Sequence, residues 1–222
     1  MKQTLISLNL LVSFSLAASA HGDDILASYP LNAADGDLPG FTFEAYLSPQ
    51  QEPAEEEDTP ALAPSVFKST EPSVPRNERT SRGHGVLVFD RDLSRAEVRV
   101  EVENVDADSI VMFHIHCGRP GQLGPIIADL GIGRDLSAEF ADGVFTAEIT
   151  NELIVATTEN GHGITGAFTA GCPIVPTAPG GKVTTIAGMA QIGFQRELYF
   201  NLHTAGQTFY GDIRGQMHPI DE

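Results

Sequence analysis

His114 and His116, one residue apart, lie inside the apolar run Ile110-Val111-Met112-Phe113-His114-Ile115-His116-Cys117. In an extended strand residues i and i+2 face the same side, so both imidazoles project from one face. Such a pair offers two nitrogen ligands to one transition-metal ion, copper or zinc, without help from a loop. His203, at the end of Leu198-Tyr199-Phe200-Asn201-Leu202-His203, is expected to complete a three-nitrogen site. His84, in Gly83-His84-Gly85, is a fourth candidate. Asn201 shares a strand face with His203 and is placed to orient its ring. Arg214 is expected either to pair with a carboxylate or to stand beside the cluster as an anion-binding group. The same pattern has a second reading, in which the histidines are buried neutral rings hydrogen-bonded to backbone carbonyls.

His21 is a weaker metal candidate. Cleavage after Ala20 would leave it as the first residue, and a terminal amine and imidazole can hold copper together. Lytic polysaccharide monooxygenases use that arrangement, but this chain has no Trp and no aromatic-rich carbohydrate-binding face. His162 lies in a turn-like Asn160-Gly161-His162-Gly163, and His218 near the tail.

The 222 residues carry 13 Lys+Arg against 30 Asp+Glu, a formal charge of −17. Nucleic acid is therefore not an expected partner, because phosphate binding depends on Lys and Arg releasing counterions. Adhesion to anionic membranes is disfavoured for the same reason. A hydrophobic content of 41% suffices for one core, and 22 Gly with 14 Pro favour turns and strands over a helical bundle.

Residues 1–20, MKQTLISLNLLVSFSLAASA, read as a secretory signal peptide: Lys2 in front, a Leu-rich stretch, then Ala18-Ser19-Ala20. The mature chain is expected to be exported, secreted or periplasmic, with no membrane insertion after cleavage. In an oxidising compartment Cys117 and Cys172 are expected to form one disulfide. Cys117 falls on the strand face opposite the two histidines, which favours that pairing over metal ligation. Closing so long a loop contributes about 4 kcal/mol on the chain-entropy model.

After a leader over 21–40, strands are expected at Phe41–Leu47, Val86–Phe89, Ala96–Val102, Ile110–His116, Val144–Ile149, Leu198–His203 and Tyr210–Met217. Two segments interrupt them. Residues 49–82 hold six prolines and the acidic run Glu55-Glu56-Glu57-Asp58, and read as a partly disordered, solvated excursion. Residues 156–188 read as a second long loop, with a short helix expected within Thr184–Arg196. Short antiparallel strands with long connections describe an all-β sandwich or Greek-key barrel.

Several segments together resemble one family, the chordin-type (CHRD) domain. Ala45-Tyr46-Leu47-Ser48 with Gln51-Glu52-Pro53 is similar to its opening strand and turn. His114-Ile115-His116, Gly118 to Gly121 and Gly124-Pro125-Ile126-Ile127 are similar to its centre, and Asp142-Gly143-Val144-Phe145-Thr146 to the next strand. Leu198–Thr204 and Gly211-Asp212-Ile213-Arg214-Gly215-Gln216-Met217 match its closing signature. The resemblance implies an antiparallel, immunoglobulin-like β-sandwich over 41–218, ahead of a tail at 219–222, in an exported protein. It implies little about activity.

Gly-x-Ser-x-Gly and His-Glu-x-x-His are both absent from the sequence. The expectation is a binding module, with an unknown protein or small molecule as partner, rather than an enzyme. A copper-dependent redox enzyme is the alternative, dismutase-like or built on an N-terminal histidine brace. The His-x-His strand pair looks similar to that of copper/zinc superoxide dismutases.

Overall fold

Val98 and Val100 alternate with Arg99 and Glu101, and this period-two pattern becomes one buried and one exposed face of a strand. The computed structural model describes residues 32–159 and 183–220. Within them run β1 (Pro39–Leu47), β2 (Arg82–Asp90), β3 (Ala96–Glu103), β4 (Ile110–Cys117), β5 (Ile126–Asp129), β6 (Val144–Ile149), β7 (Leu198–Thr204), β8 (Ile213–Gln216) and β9 (His218–Pro219). Three helices, α1 (Leu136–Glu139), α2 (Asn151–Thr157) and α3 (Ile186–Phe194), join them. The described residues from Ala34 onward belong to one compact unit. The expected signal peptide, His21, His162 and Cys172 lie outside the described residues.

The strands make two antiparallel sheets, ordered β6-β3-β2-β1-β9 and β5-β4-β7-β8. Two separate sheets are a sandwich rather than a closed barrel, and the all-β expectation is met. The core lies between them: Phe43, Ala45, Leu47, Leu87, Phe89, Val98 and Val100 from one sheet face Phe113, Ile115, Cys117, Leu198, Phe200, Leu202 and Ile213 from the other. Phe113 meets Phe145 edge-on across the sandwich, with ring centroids 5.2 Å apart.

Gly85 lets the sheets approach. A Cβ there would stand 2.7 Å from the ring of Phe200 on the facing sheet. Gly85→Ala should therefore destabilise the fold by about 1–3 kcal/mol, the usual cost of overpacking. Urea unfolding measures this, and a change below a few tenths would contradict the close approach.

Three local differences from the sequence reading have physical causes. The last long strand expected, Tyr210–Met217, is extended only over β8, because Gly211 takes φ +100° and turns the chain. β5 was not among the expected strands; it has only four residues, too few for period two to declare itself. The expected loop from Ala156 begins inside α2, whose N-cap Thr150 accepts from the Leu153 N–H. The expected helix within Thr184–Arg196 is α3, capped by Thr185.

The excursion expected over 49–82 has no strand before Arg82, where β2 begins, but it is not simply solvated. The Glu56 carboxylate is buried and accepts from the backbone N–H groups of Phe209 and Tyr210 and from the Ser69 hydroxyl. Glu55 pairs with Arg76 at 2.8 Å. Its acidic run thus clamps the connection onto the turn before β8. Charge counting sees Glu56 as solvated because its backbone donors lie about 150 residues away.

Among the described residues, no helix is long and apolar enough to cross a membrane.

Candidate metal centre

Both faces of β7, inside the four-stranded sheet, are covered, and all seven of its residues are buried. One face is the hydrocarbon core. The other carries His114 and His116 from β4, Tyr199, Asn201 and His203 from β7, and Arg214 and Gln216 from β8. Strand register assembles them: His116 lies opposite Tyr199, His114 opposite Asn201, and Met112 opposite His203. Asn201 in turn lies opposite Arg214.

This register gathers three imidazoles. His114, His116 and His203 are 1%, 7% and 3% exposed, and one nitrogen from each lies within 4.8 Å of the others. His114 is central, its ring centroid 5.3 Å from that of His116 and 5.1 Å from that of His203. The expected trio is thus brought together. Ligands on a tetrahedral zinc at ~2.0–2.1 Å stand about 3.3 Å apart, so modest ring rotations would close the set on an ion.

The orientation of His116 is fixed by its surroundings. Its Nδ1 lies 3.0 Å from the Gly124 carbonyl oxygen. A carbonyl can only accept, so Nδ1 carries a proton, and in the neutral ring the lone pair is on Nε2. Metal-binding imidazoles characteristically donate their other N–H in this way. The Gly124 N–H donates to the Tyr199 hydroxyl at 3.1 Å, and the Tyr199 ring stacks on His116 with centroids 4.8 Å apart. Burial pushes the Tyr199 phenol up to about 12, so it stays neutral.

Arg214 completes the stack from the far side of Tyr199, its guanidinium carbon 3.5 Å from the ring centroid. It donates to the carbonyls of Gln122 and Arg119 and to Gln216 Oε1. Of the two readings offered for Arg214 from sequence, its place beside the cluster is seen, with the Tyr199 ring between it and His116. Among the described residues it makes no ion pair within 4.0 Å, and it is spent on a tyrosine ring and on the loop that carries Gly124. It acts on His116 through that loop and that ring.

Asn201 faces the same side as His203, as expected, but its side-chain amide donates to the Tyr210 carbonyl at 2.9 Å. That bond anchors the turn before β8. His84 is not part of the site. It lies on β2 in the other sheet, opposite Tyr46, whose ring it stacks on at 4.6 Å, and its Nε2 is 3.3 Å from a Glu44 carboxylate oxygen. His84 and His114 had equal standing as sequence; sheet membership separates them.

Sequence reasoning missed Asp129. It sits on β5 opposite His114, with a carboxylate oxygen 3.6 Å from His114 Nε2. The Gly131 N–H donates to that same oxygen. Only the pairing of β4 with β5 brings this carboxylate to the imidazoles, and no spacing rule announces it.

The sandwich and its buried trio of imidazoles define an all-β module with a candidate transition-metal centre. The family model for the CHRD domain matches residues 43–217, and the chain belongs to that family. No curated protein and no solved structure matches the chain.

Proposed function

We propose that this chain is an exported CHRD-domain β-sandwich that binds one transition-metal ion, copper or zinc, through His114, His116 and His203. The observation that carries this reading is the convergence of three buried ring nitrogens within 4.8 Å. The donation from His116 Nδ1 to Gly124 supports it, because it leaves the other ring nitrogen as the ligand atom. An all-imidazole donor set suits copper and zinc alike. The near-complete burial of the rings favours an ion that is held over one presented to a substrate, so redox catalysis stands behind binding.

Equilibrium dialysis against copper and against zinc, followed by elemental analysis, tests the proposal. One ion per chain is expected, lost in the His114→Ala/His116→Ala double variant. Equal metal content in that variant would reject the site.

Export rests on the leader at 1–20, and in that setting the partner is an unidentified protein or small molecule, neither nucleic acid nor bilayer. Cys117 is buried at the end of β4 and its side chain points into the core, away from the imidazoles. We propose its pairing with Cys172. Peptide masses with and without reductant check this, and a thiol alkylated at Cys117 in the unreduced, unfolded protein would refute it.

A second reading keeps the histidines purely structural. The approach of Asp129 to His114 and the stacking of His116 on Tyr199 favour it, since both would persist without any ion. It predicts a melting temperature indifferent to copper and zinc.

A further inference from the structure

Glu52 lies just past β1 and is 2% exposed, yet neither of its carboxylate oxygens has a hydrogen-bond partner among the described residues. Asn201 Oδ1 is also buried without a donor, although its Nδ2 is committed to the Tyr210 carbonyl. That commitment fixes Oδ1 as an acceptor. Both groups press on Gly211: a Cβ there would stand 2.1 Å from Asn201 Oδ1 and 3.0 Å from Glu52 Oε1. Two buried acceptors that share one small space are costly unless a proton lies between them.

We propose that Glu52 is a proton-binding site of the folded protein, held as a neutral carboxylic acid whose O–H is directed toward Asn201 Oδ1 beside Gly211. The charged and titratable groups around it come from every side. Arg79 and Glu56 belong to the same connection, Asp212 precedes β8, Arg214 lies on β8 and Tyr199 on β7. The two arginines favour ionisation but do not supply hydrogen bonds to Glu52. Arg214 donates to Gln122, Arg119 and Gln216, and Arg79 to the Gly211 and Asp212 carbonyls. Desolvation outweighs both and raises the carboxyl from 4.5 to about 8. The folded chain therefore keeps a proton that the unfolded chain has released. Stability is greatest below 4.5 and falls as pH rises toward about 8. The ligand is a proton, taken up near neutrality beside the Tyr199–His116 stack. The site stands whether or not the imidazoles take an ion.

Infrared spectroscopy of the unsubstituted protein, midway between those two pH values, tests this directly. The carbonyl band of a neutral carboxylic acid is expected, and it should vanish in Glu52→Gln. The urea midpoint of the native chain should fall across the same pH window, while Glu52→Gln, whose amide can still donate to Asn201, should lose markedly less. If Glu52→Gln does not fold, Asp212→Asn decides: a band retained there supports Glu52, and a band lost there assigns the proton to Asp212 and overturns the proposal. Absence of the band in the native chain, its survival in Glu52→Gln, or parallel urea profiles would each overturn it as well.

Discussion

Copper or zinc at a hundredfold excess over its dissociation constant is expected to raise the melting temperature of the protein by about 5–10 °C. The size follows from linkage. A ligand that binds only the folded state stabilises it by ~2.7 kcal/mol at that excess. Each kcal/mol is worth roughly 2–4 °C for a domain of this size. His203→Ala and His116→Ala should abolish the shift, because two imidazoles give up most of the chelation that three provide. His114→Ala is a poorer probe, since it also strips Asp129 of its neighbour at 3.6 Å. The shift should shrink in acid, where protons compete with metal for ring nitrogens. Calorimetric melting with and without each ion gives the answer. A native chain whose midpoint ignores both ions would leave the histidines structural, and a shift that persists in the single variants would place the ion elsewhere.

Removal of Arg214 should have the largest effect on stability. Arg214→Ala is expected to cost about 4 kcal/mol, as when a large core side chain is truncated and a buried acceptor loses its donor. The side chain is 1% exposed and among the largest fully buried groups of the protein. Its loss vacates the space above the Tyr199 ring, takes the side-chain donor from the Gln122 carbonyl, and leaves the Arg119 carbonyl with the Gln122 N–H alone. It also removes the leading positive charge that opposes desolvation of Glu52. Arg214→Lys keeps the charge but not the planar fork, and should recover less than half of the loss. Urea unfolding would measure both, and a cost below 1 kcal/mol for the alanine variant would show that the stack is ornamental. A second readout separates positioning from bulk stability. With the Gly124 loop loosened, metal affinity should fall about tenfold in Arg214→Lys, which keeps the fold. Unchanged affinity would confine Arg214 to a structural role.

The strands and the trio were legible in the residues because both depend on short-range periodicity. His114-Ile115-His116 places two rings on one face whatever surrounds them, and the Val98-Val100 alternation declares its sheet face in the same way. The burial of Glu56 within 49–82 was hidden for the opposite reason. Glu56 is a surface residue by type, and only its donors at Phe209 and Tyr210 make it a buried clamp. The gap in the last strand was equally hidden, since the φ of Gly211 is a property of the turn it occupies.

Sequence alone determined that this is a β-rich, acidic chain of the CHRD family with paired imidazoles on one strand face. These features follow from composition, an ordered series of motifs and the two-residue repeat of extended backbone. Tertiary structure decided which distant groups share the space beside that face. The register of β4 against β5 and β7 admits Asp129 and His203, the pairing of β2 with β1 puts His84 in the other sheet, and that of β7 with β8 seats Arg214 by Tyr199. Register is a global outcome of core packing, in which a one-residue slip would send every ring to the hydrocarbon side. The imidazoles owe their face to local geometry and their companions to the fold.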